Sequence, residues 1–358
     1  MSIRCGIIGS GFGLNAHFPA FASLIDVEVI AMTDSGSGML QSHMPVGVVY
    51  APSWRHLIEM DLDAVSVATP PMQHYEIVLA ALARGKHVFC EKPFGISLSH
   101  AKSMAIEAHR SATNVAAVNF QFRYEPGITL LKEKVNAGLI GNILRIDISW
   151  MSAGRASPQS LWSWRNNLTL GGGVIFAFFS HIADLMCWLV DSEPRRVFGD
   201  TRILISNRKD ETGAIKNVTA EDVMTAQLEM NNGVLTTCRV SNCQYGGDGF
   251  RIEVSGTQGV LSYHHAPPFA PNDQSLDLRG PEKNISFMKK CDTNLMLTHN
   301  DSRTFAVNLC VKDFISKIAG QSKSKLPTFQ DGLRVQRIIH AIRTSSLSQQ
   351  IVSLDDCF

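Results

Sequence analysis

The sequence predicts an α/β domain with a parallel sheet, followed by an α+β domain built on a large, open, mostly antiparallel sheet. Three observations carry this. Across the first third of the chain, short apolar runs alternate with helical patterns, as strands and crossover helices of a parallel sheet do. After Asn119 strand patterns dominate, and several alternate in period two, as in a sheet with one buried face. The chain has 358 residues, too many for one ordinary core. The division is placed between residues 1–120 and 121–358.

Each element has its own justification. Cys5 to Ile8 is the first strand, entering the glycine turn Gly9-Ser10-Gly11-Phe12-Gly13 and a helix through Ala16 to Leu24. Val27 to Met32 is the second strand, ending in Thr33-Asp34. Ser35 to Val46 is weakly patterned and predicts a short or irregular helix. Gly47 to Tyr50 is a third strand, Trp54 to Met60 a short helix, and Ala64 to Ala68 a fourth strand closed by Thr69-Pro70-Pro71. His74 to Ala83 is helical, with Gly85 placed to end it. Val88 to Cys90, Ser99 to Arg110 and Val115 to Val118 complete the first domain as strand, helix and strand. A helix over Glu125 to Ala137 follows. The second sheet takes Ile143–Trp150, Val197–Ile205, Val223–Glu229, Val234–Val240, Arg251–Ser255 and Val260–His264, with Asn232-Gly233 as a hairpin turn. Val174 to Leu189 reads as an apolar helix. His265 to Asn300, proline-rich at its start, reads as an extended surface loop. Thr328-x-x-Asp331 resembles a capping box before a helix over about residues 329–346.

Composition bounds the function. The apolar fraction of 45% and charged fraction of 18% describe a folded globular chain. Net charge is +1, from 33 basic and 32 acidic residues, so nothing asks for nucleic acid or an anionic membrane. No uninterrupted apolar run approaches the roughly 20 residues of a membrane helix. The N-terminus reads as a strand and not as a signal peptide. The eight cysteines are scattered without a Cys-x-x-Cys pair, which predicts reduced thiols, a cytoplasmic protein and no metal site.

Gly9-Ser10-Gly11 supplies a tight turn and the close backbone approach a pyrophosphate needs, with a helix N-terminus behind it. Leu14 occupies the usual place of a third small residue, and Gly13 is one position early. Asp34, at the end of the second strand, is placed to accept ribose hydroxyls; a turn residue before Ser35-Gly36 is the alternative. A carboxylate there repels a 2′-phosphate, so the expected cofactor is NAD, with NADP the alternative. Glu91-Lys92-Pro93 ends an apolar strand at the edge where open α/β sheets bind ligands. The Lys92 amine, beside a carboxylate and a rigid proline, suits proton exchange with a hydroxyl under oxidation; a solubilising pair with Glu91 is the bland alternative.

In the second domain Gly171-Gly172-Gly173 precedes Ser180-His181-Ile182-Ala183-Asp184. His181 and Asp184 are three apart on a helix and share a face, and histidine titrates near neutrality. Read alone, His181 is equally a histidine satisfied within an apolar helix. Trp164 and Arg165 add an aromatic face and a cation of the kind that grips polyols or anionic groups, or else a loop packed on its tryptophans. Arg123 and Tyr124 reach a substrate or clamp the hinge between domains.

Taken together, these segments resemble the glucose–fructose oxidoreductase / inositol dehydrogenase / rhizopine-catabolism (Gfo/Idh/MocA) family over nearly the whole chain. The resemblance is carried by Gly9 to Pro19, Ala68-Thr69-Pro70-Pro71 with His74, Gly85 through Glu91-Lys92-Pro93, Arg123-Tyr124, Gly171 through Asp184, Ala220-Glu221-Asp222, Asn232-Gly233 and Asp331 through Arg334. It implies a Rossmann domain, a second domain whose C-terminal helix returns toward the first, and assembly as a homodimer or homotetramer. The implied reaction is hydride transfer between nicotinamide and a carbinol carbon of a sugar, sugar derivative or cyclitol. Lys92 is implied as the catalytic residue that polarises the reacting oxygen, and His181 as its acid/base partner. Asp184, Arg123, Tyr124, Trp164 and Arg165 are implied on the substrate side. Gly9, Ser10, Gly11, Phe12, Gly13, Asp34, Thr69, Pro70, His74, Glu91 and Lys92 are implied on the cofactor side, with a cis bond between Lys92 and Pro93. The chain departs from the family pattern at Ala177, where many members carry an aspartate four residues before the histidine, and at Phe179, where glycine is usual. That moves the expected weight of proton transfer toward Lys92.

Overall fold

The computed structural model describes residues 2–34, 40–111, 113–267, 269, 273–281, 284–287, 304–321 and 326–357. The chain forms two compact units: Met1–Tyr124 with Asp292–Leu333, and Glu125–Cys291 with Arg334–Phe358. The stretch up to Leu333 thus joins the first unit, unlike the division at residue 120.

In the first unit, β1 (Ile3–Ile8), β2 (Val27–Thr33), β3 (Val49–Tyr50), β4 (Ala64–Val67), β5 (His87–Cys90) and β6 (Ala116–Val118) form a parallel sheet in the order β3-β2-β1-β4-β5-β6. The central strands are apolar on both faces, as burial under helices on each side demands: Val88, Phe89 and Cys90 are fully buried. The connecting helices are α1 (Phe18–Ala22), α2 (Trp54–Glu59), α3 (His74–Ala83) and α4 (Leu98–Arg110). Strand order reverses between β1 and β4, which opens a crevice at their C-terminal ends.

The second unit contains α5 (Pro126–Asn136), β7 (Ile143–Met151), α6 (Ser180–Val190) and β8 (Pro194–Arg202), then the hairpin β9 (Asn207–Lys209) and β10 (Ile215–Asn217). β11 (Val223–Met230), β12 (Leu235–Ser241), β13 (Gly249–Gly256), β14 (Gly259–His265), β15 (Gln274–Arg279), β16 (Asn284–Phe287) and the short β17 (Val352–Ser353) follow. The large sheet runs β16-β15-β14-β13-β7-β12-β11-β8-β17 and is antiparallel except for the β7–β12 pair. Its strands alternate buried and solvated residues, clearly so along β11. The Asn232-Gly233 turn joins β11 to β12, closed by the Gly233 N–H donating to Met230 O at 2.9 Å.

Three features differ from the sequence reading. β15 and β16 lie within the stretch read as a loop: prolines bracket them, but Leu276 and Leu278 are buried in period two. The remainder of that stretch includes residues 288–300, which fall outside the described residues, as does Cys291. The helix α7 (Thr304–Ile318) had no counterpart in the sequence reading; its Val307, Val311 and Phe314 pack with Phe21 and Phe89 in the first unit's core. Finally, the helical run Leu168–Val190 is long and apolar enough by length and composition to cross a membrane, but it is mostly buried. Its apolarity is that of a core helix.

The capping box forms as expected. The Thr328 N–H donates to Asp331 Oδ2 at 2.7 Å, and the Asp331 N–H to Thr328 Oγ1 at 3.4 Å. It opens α8 (Phe329–Ser348), whose first turn belongs to the first unit, where Phe329 meets Phe94 with ring centroids 4.6 Å apart.

Ahead of α5, burial pushes the Glu125 carboxyl up to about 7, against a hydrogen bond from Gln274 Nε2 at 3.1 Å. A carboxyl raised in the folded state is protonated in both states below its unfolded value. Its stabilising contribution is complete there and is lost as pH climbs from about 4.5 to about 7. Glu125→Gln removes this loss. We expect its Tm to rise by about 2–4 °C at pH 8 and to stay unchanged at pH 4, read by calorimetry. Equal shifts at both pH values would contradict the burial argument.

Candidate functional site

In the first unit, the expected residues gather at the C-terminal ends of β1, β4 and β5. Gly9 has φ +135°, and a Cβ there would lie 2.4 Å from Ala68 O, so only glycine lets β1 leave the sheet this close to β4. Gly11 differs: a Cβ on it would meet nothing within 4 Å. That open space over an exposed backbone is what an approaching pyrophosphate requires, so the turn fits a dinucleotide. Gly13 makes the close packing, against Ala68 and Ile7, both 3.4 Å from a virtual Cβ. This explains the early glycine: Leu14 is free to join the apolar core, and residues Gly13–His17 form a wide π-helical turn before α1.

Asp34 follows β2 and is 5% exposed, with the Leu40 N–H 3.4 Å from Oδ2. Thr69, two residues past β4, has a buried Oγ1 with no hydrogen-bond partner among the described residues. Pro70 carries the chain in extended conformation into the turn before α3. His74 is fully buried, with ring nitrogens 2.9 Å from Thr69 O and 3.1 Å from Pro93 O. Burial pushes its imidazole down, opposed by the Thr69 carbonyl and the charge of Glu91. Both nitrogens face main-chain carbonyls, and the one N–H of a neutral ring donates to one of them, so His74 braces the ends of β4 and β5 and does not offer a donor to a ligand.

Lys92 is partly exposed at the end of β5, and the Lys92–Pro93 bond is cis as the resemblance implied. Glu91 points into the interior. Its Oε1 accepts from His17 Nε2 at 2.8 Å and from Asn119 Nδ2, and its Oε2 accepts the Lys92 N–H at 3.1 Å. Burial would raise this carboxyl, but the hydrogen bond and charge of His17, the charge of Lys92 and the Asn119 bond hold it below the usual carboxylate range. Glu91 therefore supports the lysine from beneath. Sequence reasoning missed His17: it is fully buried in the first unit, but nothing local connects residues 17 and 91.

Arg123 and Tyr124 make side-chain hydrogen bonds within the first unit. Arg123 Nη2 donates to Asp331 Oδ1 at 3.0 Å, and the Tyr124 hydroxyl to Asp313 Oδ2 at 2.8 Å. Burial pushes the Tyr124 phenol up. Both side chains are anchored to helices of their own unit, which opposes the substrate-side assignment.

In the second unit, Gly172 crosses the backbone of Arg165 with a virtual Cβ 2.4 Å from its carbonyl oxygen, fixing the Arg165 loop against the start of the apolar helical run. Trp164 lies under the Arg165 guanidinium at 4.7 Å from the ring centroid. Glu221 supports the beginning of the same run: its Oε1 accepts the Ile175 N–H at 3.2 Å and an Arg343 Nη2 donor at 3.2 Å. A carboxylate at a helix start satisfies orphan donors and suits the helix dipole. The run begins with a π-helical turn, Ile175–Phe179, and continues into α6. His181 and Asp184, 2% and 1% exposed, share its face as expected, and the His181 ring lies 6.4 Å from Trp150 of β7. Ala177, one turn earlier, is exposed.

Comparison with known proteins bears on the fold and family. Residues 3–120 match the model of an oxidoreductase family with an NAD-binding Rossmann fold, and residues 128–262 match the GFO/IDH/MocA C-terminal domain. An inositol 2-dehydrogenase/D-chiro-inositol 3-dehydrogenase of Lacticaseibacillus casei is 29% identical over 73% of this chain and 72% of its own. A glucose-6-phosphate 3-dehydrogenase of Bacillus subtilis is 28% identical over 74% and 75%. The structure of a levoglucosan dehydrogenase in complex with NADH and L-sorbose superposes with a TM-score of 0.86 over 99% of each chain, at 22% identity, a likeness of fold.

Proposed function

Because the chain belongs to the GFO/IDH/MocA oxidoreductase family, with its NAD-binding Rossmann domain, we propose that it is a dehydrogenase or reductase of a sugar, sugar derivative or cyclitol. The observation that carries this reading is Lys92, partly exposed at the C-terminal edge of β5 in the same unit as the glycine turn, with its main chain fixed by Glu91. NAD, when bound, supplies the hydride acceptor or, reduced, the donor. Lys92 Nζ holds the reacting oxygen and exchanges its proton. His181 is the partner acid/base, and Asp184, Trp164 and Arg165 are the substrate-side residues. Gly9 to Gly13, Asp34, Thr69 and Pro70 face the cofactor, while His74 and Glu91 position this edge from within. The buried Asp34 carboxylate favours NAD over NADP. The named relatives act on inositols and a sugar phosphate, which supports the substrate class. We further propose a cytoplasmic homodimer or homotetramer, joined through the solvated face of the large sheet around Arg145, Arg239, Arg251 and Arg279.

The test is NADH absorbance on mixing the protein with NAD and, separately, myo-inositol, levoglucosan, glucose 6-phosphate and a set of aldoses and uronates, with NADP in parallel. We expect turnover with one compound class and at least about tenfold preference for NAD. NAD binding without turnover on any compound would favour a redox-neutral use of NAD in sugar elimination or a nonenzymatic NAD sensor.

A further inference from the structure

The cofactor turn and the lysine edge share one buried connection. His17 closes the π-helical turn that begins at Gly13, and its ring sits between Phe12 and Phe89, each with centroids 5.4 Å away. Its Nδ1 is 2.6 Å from Ser66 Oγ on β4, and its Nε2 is 2.8 Å from Glu91 Oε1. An ionised carboxylate only accepts, so Nε2 carries a proton and donates. Asn119, at the end of β6, donates to the same oxygen. With Oε1 held by two side chains, Oε2 has one orientation, toward the Lys92 N–H at 3.1 Å. Among the described residues, the titratable groups facing Glu91 are His17 from the turn, Cys90 and Lys92 on either side of it, His74 from α3 and Cys310 from α7. Each bond lies inside the first unit, and His17, Ser66 and Asn119 are at most 1% exposed.

We propose that His17 is a positioning residue for Lys92: through Glu91 it ties the seat of the reactive lysine to the nucleotide-binding turn. The inference rests on the dehydrogenase reading only in calling Lys92 reactive. A displacement of a catalytic group by about 1 Å costs roughly 100-fold in rate, so the bond to Glu91, and not the mere presence of a polar side chain at position 17, sets turnover.

Two variants separate these. His17→Gln keeps a donor where Nε2 lies, whereas His17→Asn keeps a polar group near Ser66 and loses the reach to Glu91. With NAD and whichever panel compound is turned over, we expect His17→Asn to lower kcat about 100-fold and His17→Gln less than about tenfold, with KM and NAD affinity within about threefold for both. A second readout needs no turnover: the pH profile of Lys92 labelling by trinitrobenzenesulfonate, followed by peptide mass spectrometry. We expect the midpoint for His17→Asn to move by about half a unit or more and that for His17→Gln to stay with the parent protein. Equal kcat values for the two variants, or labelling profiles that coincide with the parent, would overturn the proposal. If every panel compound fails, the dehydrogenase reading fails with them, and the labelling profile alone decides the role of His17.

Discussion

Lys92→Ala is expected to lower kcat about 10³-fold while leaving NAD affinity and Tm close to the parent values. The size follows from the proton transfer the lysine performs. A positioned acid/base contributes roughly 10² to 10⁴ in rate, and alanine leaves no group to hold the reacting oxygen. Selectivity for kcat follows from the surroundings. The lysine side chain is partly exposed, so truncation opens no core cavity. The contact that fixes the strand end is made by the Lys92 main-chain N–H with Glu91, which alanine retains. Lys92→Arg should recover less than about a tenth of the loss, because a guanidinium carries positive charge without giving up its proton near neutrality. Added methylamine should restore part of the alanine variant's activity by supplying a free amine. Steady-state kinetics with NAD titrations decides the matter. An alanine variant with undiminished turnover would remove Lys92 from the chemistry and favour a sensing role.

How much of this site was readable in the sequence depended on whether the signal was local. The glycine turn, Asp34 and Glu-Lys-Pro are short motifs whose chemistry is contained in the motif, and the strand–helix alternation places them on one sheet edge. The helix from His74 to Ala83 falls where the pattern put it. What escaped is non-local. His17 looks like a residue after a turn until the fold places Glu91 on its Nε2. Arg123 and Tyr124 are recognisable as special, but their roles turn on Asp331 and Asp313, about two hundred positions away. The prolines around residues 267–281 read as loop because their signal outweighs two buried leucines, although edge strands tolerate proline at their ends. Glu221 carries no local sign that it supports the helix holding His181.

Gly9→Ala and Gly11→Ala, two residues apart, are expected to fail in opposite ways. Alanine at position 9 must adopt φ near +135°, a region open essentially to glycine alone, and its Cβ would press on the Ala68 carbonyl at 2.4 Å. That neighbour is backbone joined to the central strand β4, so it cannot rotate away as a side chain would. The strain and the clash together should cost about 3 kcal/mol or more of folding stability, and NAD binding should fall with the distorted turn. Position 11 has neither problem, since a Cβ there meets nothing within 4 Å. Gly11→Ala should therefore keep the parent Tm to within about 1 °C. Any loss it shows must come from what occupies the open space when the protein is loaded, and we expect NAD affinity to drop at least about tenfold. Calorimetry and NAD titration on both variants separate the outcomes. If Gly11→Ala binds NAD as the parent does, the pyrophosphate does not approach that backbone, and the assignment of the turn has to be redrawn.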